Sequence, residues 1–270
     1  MDAGPADLDR LAAAVAASAR YRHVCPDLVR SIGACELGRR RSLKQAIKAT
    51  KDRLHQAAGA YVERRTDYAA HLAALRQAAE TGEREPFLQA CAQAMASHTS
   101  SRERLPILGQ FYATTLAGLS PLRSVLDVAC GLNPLALPWL PLAAGAAYYA
   151  YDIYEDMMAF VSEFLRLAGM AGEARAVDVI AHCPARHVDL ALLLKAIPCL
   201  ERIDAAAGAH LLDTIAADHL LVSFPVRSLC GVAKGMPQSY EAHFVELIAG
   251  RGWAVRRFQF ASELAFLVSR

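Results

Sequence analysis

The sequence lacks several features that would place the protein in a specialised class. Its seven cysteines are odd in number, and no two of them form a Cys-x-x-Cys pair. This pattern argues against a disulfide framework and against a zinc site, and it is typical of a reducing cytosol. No Gly-x-Ser-x-Gly motif marks a nucleophile, and the N-terminus has no basic segment of the kind that opens a signal peptide. We therefore expect a cytoplasmic protein without a metal centre.

Long apolar runs are absent as well. The alanine-rich stretch 132–151 comes nearest to the roughly 18 apolar residues of a membrane span. It is interrupted by an asparagine and four turn-forming residues: Asn133, Pro134, Pro138, Pro141 and Gly145. With 54% hydrophobic and 21% charged residues, the chain of 270 residues has the composition of a folded globular protein of one large or two small domains.

Charge is distributed unevenly along the chain. Residues 1–105 hold 17 Lys and Arg against 12 Asp and Glu, whereas residues 106–270 hold 12 against 15. Within residues 20–65 the count is 12 against 4, a surplus of 8. Such a basic block suits a polyanionic partner, most simply nucleic acid, although a solvated helix face would have the same composition. The candidate RNA-binding cations of this block are Arg40, Lys44, Lys48, Lys51 and Arg53.

Periodicity divides the chain into two parts. Residues 7–118 have helical spacing of apolar residues, including an antiparallel pair over 67–80 and 85–95 and a capping box at Ser100-x-x-Glu103. From residue 121 onward, strands predicted at 123–129, 147–152, 174–178, 188–194 and 218–224 alternate with helices at 155–168, 201–216 and 236–249. Alternation of this kind predicts a parallel sheet wrapped by helices. A final hairpin, 253–260 with 264–268, is foreign to dinucleotide-binding sheets and usual in seven-stranded methyltransferase sheets.

The most informative motif lies where the first strand ends in a glycine turn, Asp127-Val-Ala-Cys-Gly-Leu-Asn-Pro. Asp152 ends the next strand, 21 residues after Gly131, where a carboxylate can accept hydrogen bonds from ribose hydroxyls. The turn lacks the Gly-x-Gly-x-x-Gly motif whose loop binds a pyrophosphate, because Asn133-Pro134 stands in place of further glycines. The pattern therefore favours a nucleoside ligand without phosphates, such as S-adenosylmethionine.

Further polar residues are predicted at the same edge of the sheet. We expect Asp127 to hold the glycine turn by accepting its backbone N–H groups, and Asp178 to accept the adenine amino group. As alternatives, Asp152 caps a helix and Asp178 is a turn aspartate. Lys195, Arg227 and Lys234 follow later strands, where they suit phosphates beside a target base. Upstream, His98, Arg102 and Arg104 include an arginine that could hold the methionine carboxylate in a bidentate manner.

Taken together, these residues resemble the aminoglycoside-resistance 16S ribosomal RNA guanine-N7 methyltransferases of the guanine-1405 type. The stretches that carry the resemblance span nearly the whole chain: 18–26, 54–61, 98–105, Asp127-Val-Ala-Cys-Gly-Leu-Asn-Pro-Leu135, 193–201, 223–229, 234–236 and 262–264. The resemblance implies a seven-stranded, Rossmann-like class I S-adenosylmethionine-dependent methyltransferase domain over 106–270. It further implies an N-terminal helical domain over 1–105 that binds the 30S ribosomal subunit. We expect a monomer that needs neither a metal nor a membrane.

The same resemblance implies roles for individual residues. Cofactor contacts are expected at Tyr61, His98, Ser101, Arg102, Arg104, Ala129, Gly131, Asp152, Asp178, Val179, Leu194 and Ile203. Catalytic, target-side roles are expected for Lys195, Glu201, Arg227 and Ser228, and an RNA contact for Lys234. The expected reaction is methyl transfer to N7 of guanine 1405 in 16S rRNA, which would confer aminoglycoside resistance.

Two other functions are compatible with parts of this pattern. A methyltransferase of similar fold could act on another substrate, but it would have no use for the basic block. A non-enzymatic RNA-binding protein could use a degenerate nucleoside-binding fold as a scaffold. The intact set of Asp127, Gly131 and Asp152 argues against the second alternative.

Overall fold

A computed structural model describes residues 5–56, 66–226 and 236–270 of the chain. Its centre is a seven-stranded sheet in the order β3-β2-β1-β4-β5-β7-β6. The strands are β1 (Leu122–Val128), β2 (Leu142–Asp152), β3 (Ala171–Ala176), β4 (Val188–Leu194), β5 (Ala217–Pro225), β6 (Ala254–Gln259) and β7 (Glu263–Ser269). The first five strands pair in parallel, and β7 runs antiparallel to both β5 and β6. The predicted class I methyltransferase sheet and its terminal hairpin are confirmed.

Helices precede the sheet and connect its strands. The α-helices of the described ranges are α1 (Pro5–Ala16), α2 (Pro26–Arg39), α3 (Leu43–Leu54), α4 (Tyr68–Glu80), α5 (Arg84–Met95), α6 (Thr99–Arg104), α7 (Leu108–Thr115), α8 (Glu155–Leu167), α9 (Ile197–Leu200), α10 (Ala207–Thr214) and α11 (Met236–Ile248). The helix predicted over 201–216 is therefore shorter than expected. Turns occupy 201–206, where the side chain of Asp204 accepts a hydrogen bond from the backbone N–H of Ala206 at 2.9 Å.

One predicted helix start is correct and another is wrong. Asp67 caps α4, because its Oδ1 accepts a hydrogen bond from the N–H of Ala70 at 2.9 Å. The capping box at Ser100 and Glu103 does not form, since α6 begins after His98 and Ser100 lies inside the helix. Glu103 instead turns its carboxylate toward a lysine distant in sequence, as described below.

The central strands are buried on both faces, as expected for parallel strands covered by helices. On β4, Leu190 and Leu192 pack into a core with α4, α5, α7 and α8, while Ala191 and Leu193 pack into a second core with α10 and the Phe244 side chain of α11. This two-sided burial explains why the strands are near-continuous apolar runs in the sequence. Because both faces of the sheet are covered, a ligand is expected at the carboxyl ends of the strands.

Helices α1 to α3 enclose a third core, which includes Leu11, Leu28 and Leu54. This group of helices, residues 5–56, is called the helical unit below. Because α4 and α5 share the core of the sheet, the hydrophobic packing does not change at residue 105, and the domain boundary predicted there stays a prediction. Within the described ranges, no helix is both long and apolar enough to span a membrane.

Candidate functional site

A cleft of about 670 Å³, open to solvent, lies at the carboxyl ends of β1, β2 and β4. The sheet order reverses direction between β1 and β4, and this is the crevice in which open α/β sheets bind ligands. The lining residues are His98, Ser100, Ser101, Arg104, Ala129, Cys130, Asp152, Ile153, Tyr154, Leu194, Lys195, Ala196, Cys199, Leu200 and Ile203. Seven of the residues predicted to contact a cofactor are among them: His98, Ser101, Arg104, Ala129, Asp152, Leu194 and Ile203.

Two non-glycine residues with positive φ mark the strand ends on either side of the reversal. Ala129 follows β1 with φ 51°, and Lys195 follows β4 with φ 58°. A side chain in this region costs on the order of 1–3 kcal/mol, and such strain persists only where the surrounding structure imposes it. Both residues line the cleft, so the strained backbone lies at the ligand-binding edge rather than in a peripheral loop.

Position 131 requires a glycine for two reasons, its positive φ angle and the lack of space for a Cβ atom. It has φ 53°, and a Cβ at this position would lie 2.5 Å from the Cε1 atom of His98. Its N–H donates a hydrogen bond of 2.8 Å to Oδ2 of Asp152. The glycine turn is thus closed on one side by an imidazole ring and on the other by a carboxylate.

Asp152 combines burial with exposure to the cleft. Its relative accessibility is 9%, and its Oδ1 accepts a hydrogen bond from the N–H of Ile153 at 2.7 Å. Burial raises the pKa of this carboxyl, while the backbone donors at Gly131 and Ile153 oppose the shift. Because a carboxylate oxygen has a second lone pair, Asp152 can still accept hydrogen bonds from a ligand's hydroxyl groups.

The polar groups at this end of the cleft suit a nucleoside without phosphates. The Gly131 N–H, which would bind a phosphate in a dinucleotide fold, is already used by Asp152. An anionic side chain at this point also repels a second anion. The facing wall is apolar and contains Leu194, Leu200 and Ile203. These residues therefore fit the nucleoside part of S-adenosylmethionine.

The prediction that Asp127 accepts hydrogen bonds from the backbone of the glycine turn is wrong. Its Oδ2 accepts hydrogen bonds from Asn133 Nδ2 at 2.8 Å and from the Tyr148 hydroxyl at 2.6 Å, rather than from the glycine turn. Its Oδ1 has no hydrogen-bond partner among the residues that the structure describes. Burial raises the pKa of Asp127 to about 7, although Asn133 and Tyr148 oppose the shift. Asp127 therefore holds the loop through the Asn133 side chain.

Arg104 is buried in a charge network with a residue far along the chain. Its Nη2 lies 2.7 Å from Glu263 Oε1, its Nε lies 3.0 Å from Glu263 Oε2, and its Nη1 donates to Asn133 Oδ1 at 2.9 Å. The relative accessibilities of Arg104 and Glu263 are 1% and 0%. Glu263 therefore occupies the Nε–Nη2 edge of Arg104, and this edge is not available for the methionine carboxylate that was predicted from the sequence to be held by an arginine. Cofactor contact by another part of Arg104 stays a prediction.

Lys195 extends the same network into the wall of the cleft. Its Nζ donates to the Ser100 carbonyl and to Glu103 Oε2, both at 2.9 Å, and lies 3.8 Å from Glu263 Oε2. Burial opposes ionisation of Glu263, but Arg104 and Lys195 outweigh it and lower the pKa of that carboxyl. The sequence missed this use of Glu103 and Glu263, since partners 92 and 159 residues apart leave no local pattern.

His98 is a neutral component of the cleft. Burial, together with the nearby charges of Lys195, Arg104 and Arg102, lowers its pKa from 6.5 to about 3. Its Nδ1 lies 3.4 Å from the Ser101 hydroxyl. The imidazole therefore adds no positive charge to the cleft at neutral pH.

The pKa of His98 makes stability depend on pH. Below pH 6.5 the unfolded chain takes up a proton at this residue, whereas the folded chain does not until about pH 3. The contribution of His98 to the free energy of unfolding is therefore lost as the pH falls from 6.5 toward 3. Between pH 7 and pH 5 the wild type should lose about 2 kcal/mol more unfolding free energy than His98→Gln. Urea unfolding at both pH values measures this difference, and equal losses would contradict a neutral buried imidazole.

Other residues predicted for the cofactor lie outside the cleft wall. Arg102 is exposed and donates to the Ala96 carbonyl at 3.1 Å. Asp178 accepts a hydrogen bond from the N–H of Ile180 at 3.1 Å, as a turn aspartate does, and Val179 is buried in the core beside α10. Their contacts with cofactor, like that of Gly131, stay predictions. Tyr61 lies outside the described residues.

On the predicted target side, only part of the set can be placed. Both carboxylate oxygens of Glu201 lie 2.9 Å from His243 Nε2, which α11 presents to them. Arg227, Ser228 and Lys234 lie outside the described residues. Across the described ranges, no group of three or more His, Cys, Asp or Glu side chains could hold a metal ion.

The basic block does not form one uniform surface. Arg40, Lys44 and Lys48 are exposed, as an RNA contact requires. Lys51 instead donates to the Ser18 hydroxyl at 2.6 Å. Arg53 turns inward, with only 22% of its side chain exposed. The guanidinium of Arg53 bonds within the protein, to Glu36 and to the Ile203 carbonyl, and its RNA contact stays a prediction.

Comparison with known proteins agrees with this geometry. The family described as ribosomal RNA methyltransferase (FmrO) matches residues 17–267. A 16S rRNA (guanine(1405)-N(7))-methyltransferase of Frankia casuarinae is 39% identical over 266 residues, covering 97% of this chain and 94% of the relative. One from Serratia marcescens is 37% identical over 230 residues, covering 85% of each.

Solved structures show the same similarity in three dimensions. The crystal structure of the 16S rRNA methyltransferase RmtF in complex with S-adenosyl-L-homocysteine superposes with a TM-score of 0.81 at 33% identity, covering 99% of this chain and 100% of RmtF. The 16S rRNA methylase RmtB gives 0.79 at 30% identity, with 99% and 100% covered. With its sheet order, its cleft and its sequence all in agreement, the chain belongs to the ribosomal RNA methyltransferase (FmrO) family.

Proposed function

We propose that the protein transfers a methyl group from S-adenosyl-L-methionine to N7 of guanine 1405 in the 16S rRNA of the 30S subunit, which confers aminoglycoside resistance. The observation that carries the proposal is the cleft at the sheet reversal, where Asp152 closes the glycine turn beside a neutral His98. The relatives that match nearly the whole chain are named for this reaction. Cytoplasmic location and a monomeric state are parts of the same proposal.

Methyl transfer to guanine N7 requires little acid or base catalysis by the protein. Bound S-adenosylmethionine supplies an electrophilic methyl group on a sulfonium. Guanine N7 has a free lone pair, so the N–C bond can form as the S–C bond breaks without prior removal of a proton. The side chains therefore act mainly by positioning, which can contribute about 7–11 kcal/mol when the attack geometry is held.

Three residues that line the cleft would contribute to this positioning in different ways. Asp152 would accept hydrogen bonds from the ribose hydroxyls, beside the strained Ala129 and the glycine turn. Because His98 stays neutral, it adds no repulsion toward the positive sulfonium. The cationic Lys195 is offset by Glu103 and Glu263, so the wall of the cleft near it carries no excess positive charge.

The RNA side requires docking and base flipping. Exposed cations of the helical unit, with Lys44 and Lys48 on α3, would contact phosphates. The target guanine must leave its helix, at a cost of a few kcal/mol. Lys195, Glu201, Arg227 and Ser228, with Lys234, would hold the flipped base or its phosphates. The methylated guanine carries a positive charge, which would oppose binding of cationic aminoglycosides.

Parallel methyl-transfer assays test the proposal. Intact 30S subunits, deproteinised 16S RNA and free nucleosides are each incubated with the protein and labelled cofactor, and N7-methylguanine is mapped. We expect methylation of 30S subunits at guanine 1405 and at least a hundredfold less on naked RNA, since the folded site needs ribosomal proteins. Equal rates on naked RNA would contradict the 30S substrate. Labelling of another molecule alone, or of nothing, would favour the alternative functions.

A further inference from the structure

The helical unit holds the wall of the cleft that follows β2. The N–H of Cys25 donates to the Ile153 carbonyl, and the N–H of Glu155 donates to the His23 carbonyl, both at 2.7 Å. Between them Val24 and Tyr154 form an antiparallel bridge. Ile153 and Tyr154 both line the cleft, and their side chains pack against the core of the helical unit.

The same unit also holds the wall on the other side, after β4 and α9. Ile203 lines this wall, and its side chain packs against the core of α1 to α3. The carbonyl of Ile203 accepts a hydrogen bond from Nη2 of Arg53 at the end of α3. In the reverse direction, Nη1 of Arg202 donates to the Gln56 carbonyl at 2.7 Å. The helical unit therefore contacts both walls of the cleft.

Arg53 is held in its inward direction by a buried acid. Glu36 on α2 has a relative accessibility of 2%. Its Oε1 lies 3.3 Å from Nη1 of Arg53, and its Oε2 accepts from Nε of Arg40 at 2.9 Å. Since an unpaired buried carboxylate is costly, Glu36 favours the conformation in which Arg53 spans from α2 to Ile203. The planar guanidinium of Arg53 reaches Glu36 through Nη1 and the Ile203 carbonyl through Nη2, a fixed two-nitrogen geometry that the single ammonium nitrogen of a lysine does not reproduce.

We propose that Arg53 is a positioning residue for the cofactor, which ties the Ile203 wall of the cleft to the helical unit. Its loss would weaken cofactor binding rather than phosphate binding, although it lies in the basic block. By reciprocity, cofactor binding stabilises the helical unit. The inference rests on the proposed cofactor site and is independent of which nucleotide is methylated.

Calorimetry with S-adenosyl-L-homocysteine as the probe tests this role. Arg53→Met should raise its Kd at least fivefold, and Arg53→Lys should also raise it, since lysine keeps the charge but not the fork. Lys48→Met is the matched control: it removes one exposed charge from the same helix and should leave Kd unchanged. In filter binding to 30S subunits at saturating cofactor, Lys48→Met should weaken association more than Arg53→Met. Unchanged Kd in both Arg53 variants, with weaker 30S binding, would overturn the inference.

Hydrogen exchange of the wild type gives a test that needs no variant. Addition of S-adenosyl-L-homocysteine should slow amide exchange in 24–25 and 43–54 as well as around 129–153. Protection confined to 129–153 would overturn the inference and leave the proposed function intact. If the wild type does not bind S-adenosyl-L-homocysteine at all, the proposed function fails, and the inference fails with it.

Discussion

Replacement of Asp152 with alanine should lower the affinity for S-adenosyl-L-homocysteine by roughly ten- to a hundredfold. At the proposed cofactor site, the change would remove charge-assisted hydrogen bonds to the ribose hydroxyls, which contribute about 1.5–3 kcal/mol. It also removes the acceptor of the Gly131 N–H, so the glycine turn loses its partner at the same edge. Isothermal calorimetry measures the Kd, and circular dichroism checks that the variant is folded.

Two further variants separate the possible causes. Asp152→Asn keeps one acceptor oxygen and should lose less affinity than Asp152→Ala. Asp178→Ala removes another buried acid near a strand end, one that does not line the cleft. It also tests the predicted adenine contact. A folded Asp152→Ala protein with wild-type affinity would refute the ribose assignment.

Glu263→Gln should destabilise the fold by about 3–5 kcal/mol, because it leaves buried cations without their partner. Glu263 is fully buried between Arg104 and Lys195 and also accepts a hydrogen bond from the Ser223 hydroxyl. Glutamine keeps the shape and part of the hydrogen bonding while removing the charge. The free energy of unfolding in urea measures the effect, provided that the transition is two-state.

An exposed ion pair provides the control for this result. Glu241 lies 2.7 Å from Arg257, and their side chains are 37% and 42% exposed. Glu241→Gln should change the unfolding free energy by about 0–1 kcal/mol, since water screens the pair. If both variants have the same small effect, the buried network does not stabilise the fold.

Much of the fold could be predicted because its signals are local. The central strands are buried on both faces, so they are apolar runs in the sequence, and strand bounds differ from the predicted ones by a few residues at most of their ends. The larger misses are the early starts of β2 and β3 at Leu142 and Ala171. Both segments are rich in alanine and glycine, which have low strand propensity.

The meeting of the glycine turn and Asp152 beside the cleft could be predicted for the same reason. A glycine turn after one strand and an acid at the end of the next must meet when parallel strands are neighbours, so the spacing of Gly131 and Asp152 was sufficient. The same argument placed Asp178 near the cleft, although the structure uses it in a turn. Position along a strand predicts which edge a residue reaches, and the side-chain partner depends on what else is packed there.

By itself the sequence determined the alternation of elements, the terminal hairpin and the strand-end motif, because each depends on hydrophobic period or short spacing. Only the tertiary structure decided which charges are partners. Arg104 meets Glu263 across 159 residues, and Arg53 meets the Ile203 carbonyl across 150. From the sequence, Arg104 was expected to contact the cofactor and Arg53 to contact RNA, and neither Glu263 nor the Ile203 carbonyl was predicted as a partner. Folding brings each beside an acceptor that had to be satisfied once it was buried, and no local pattern records that requirement.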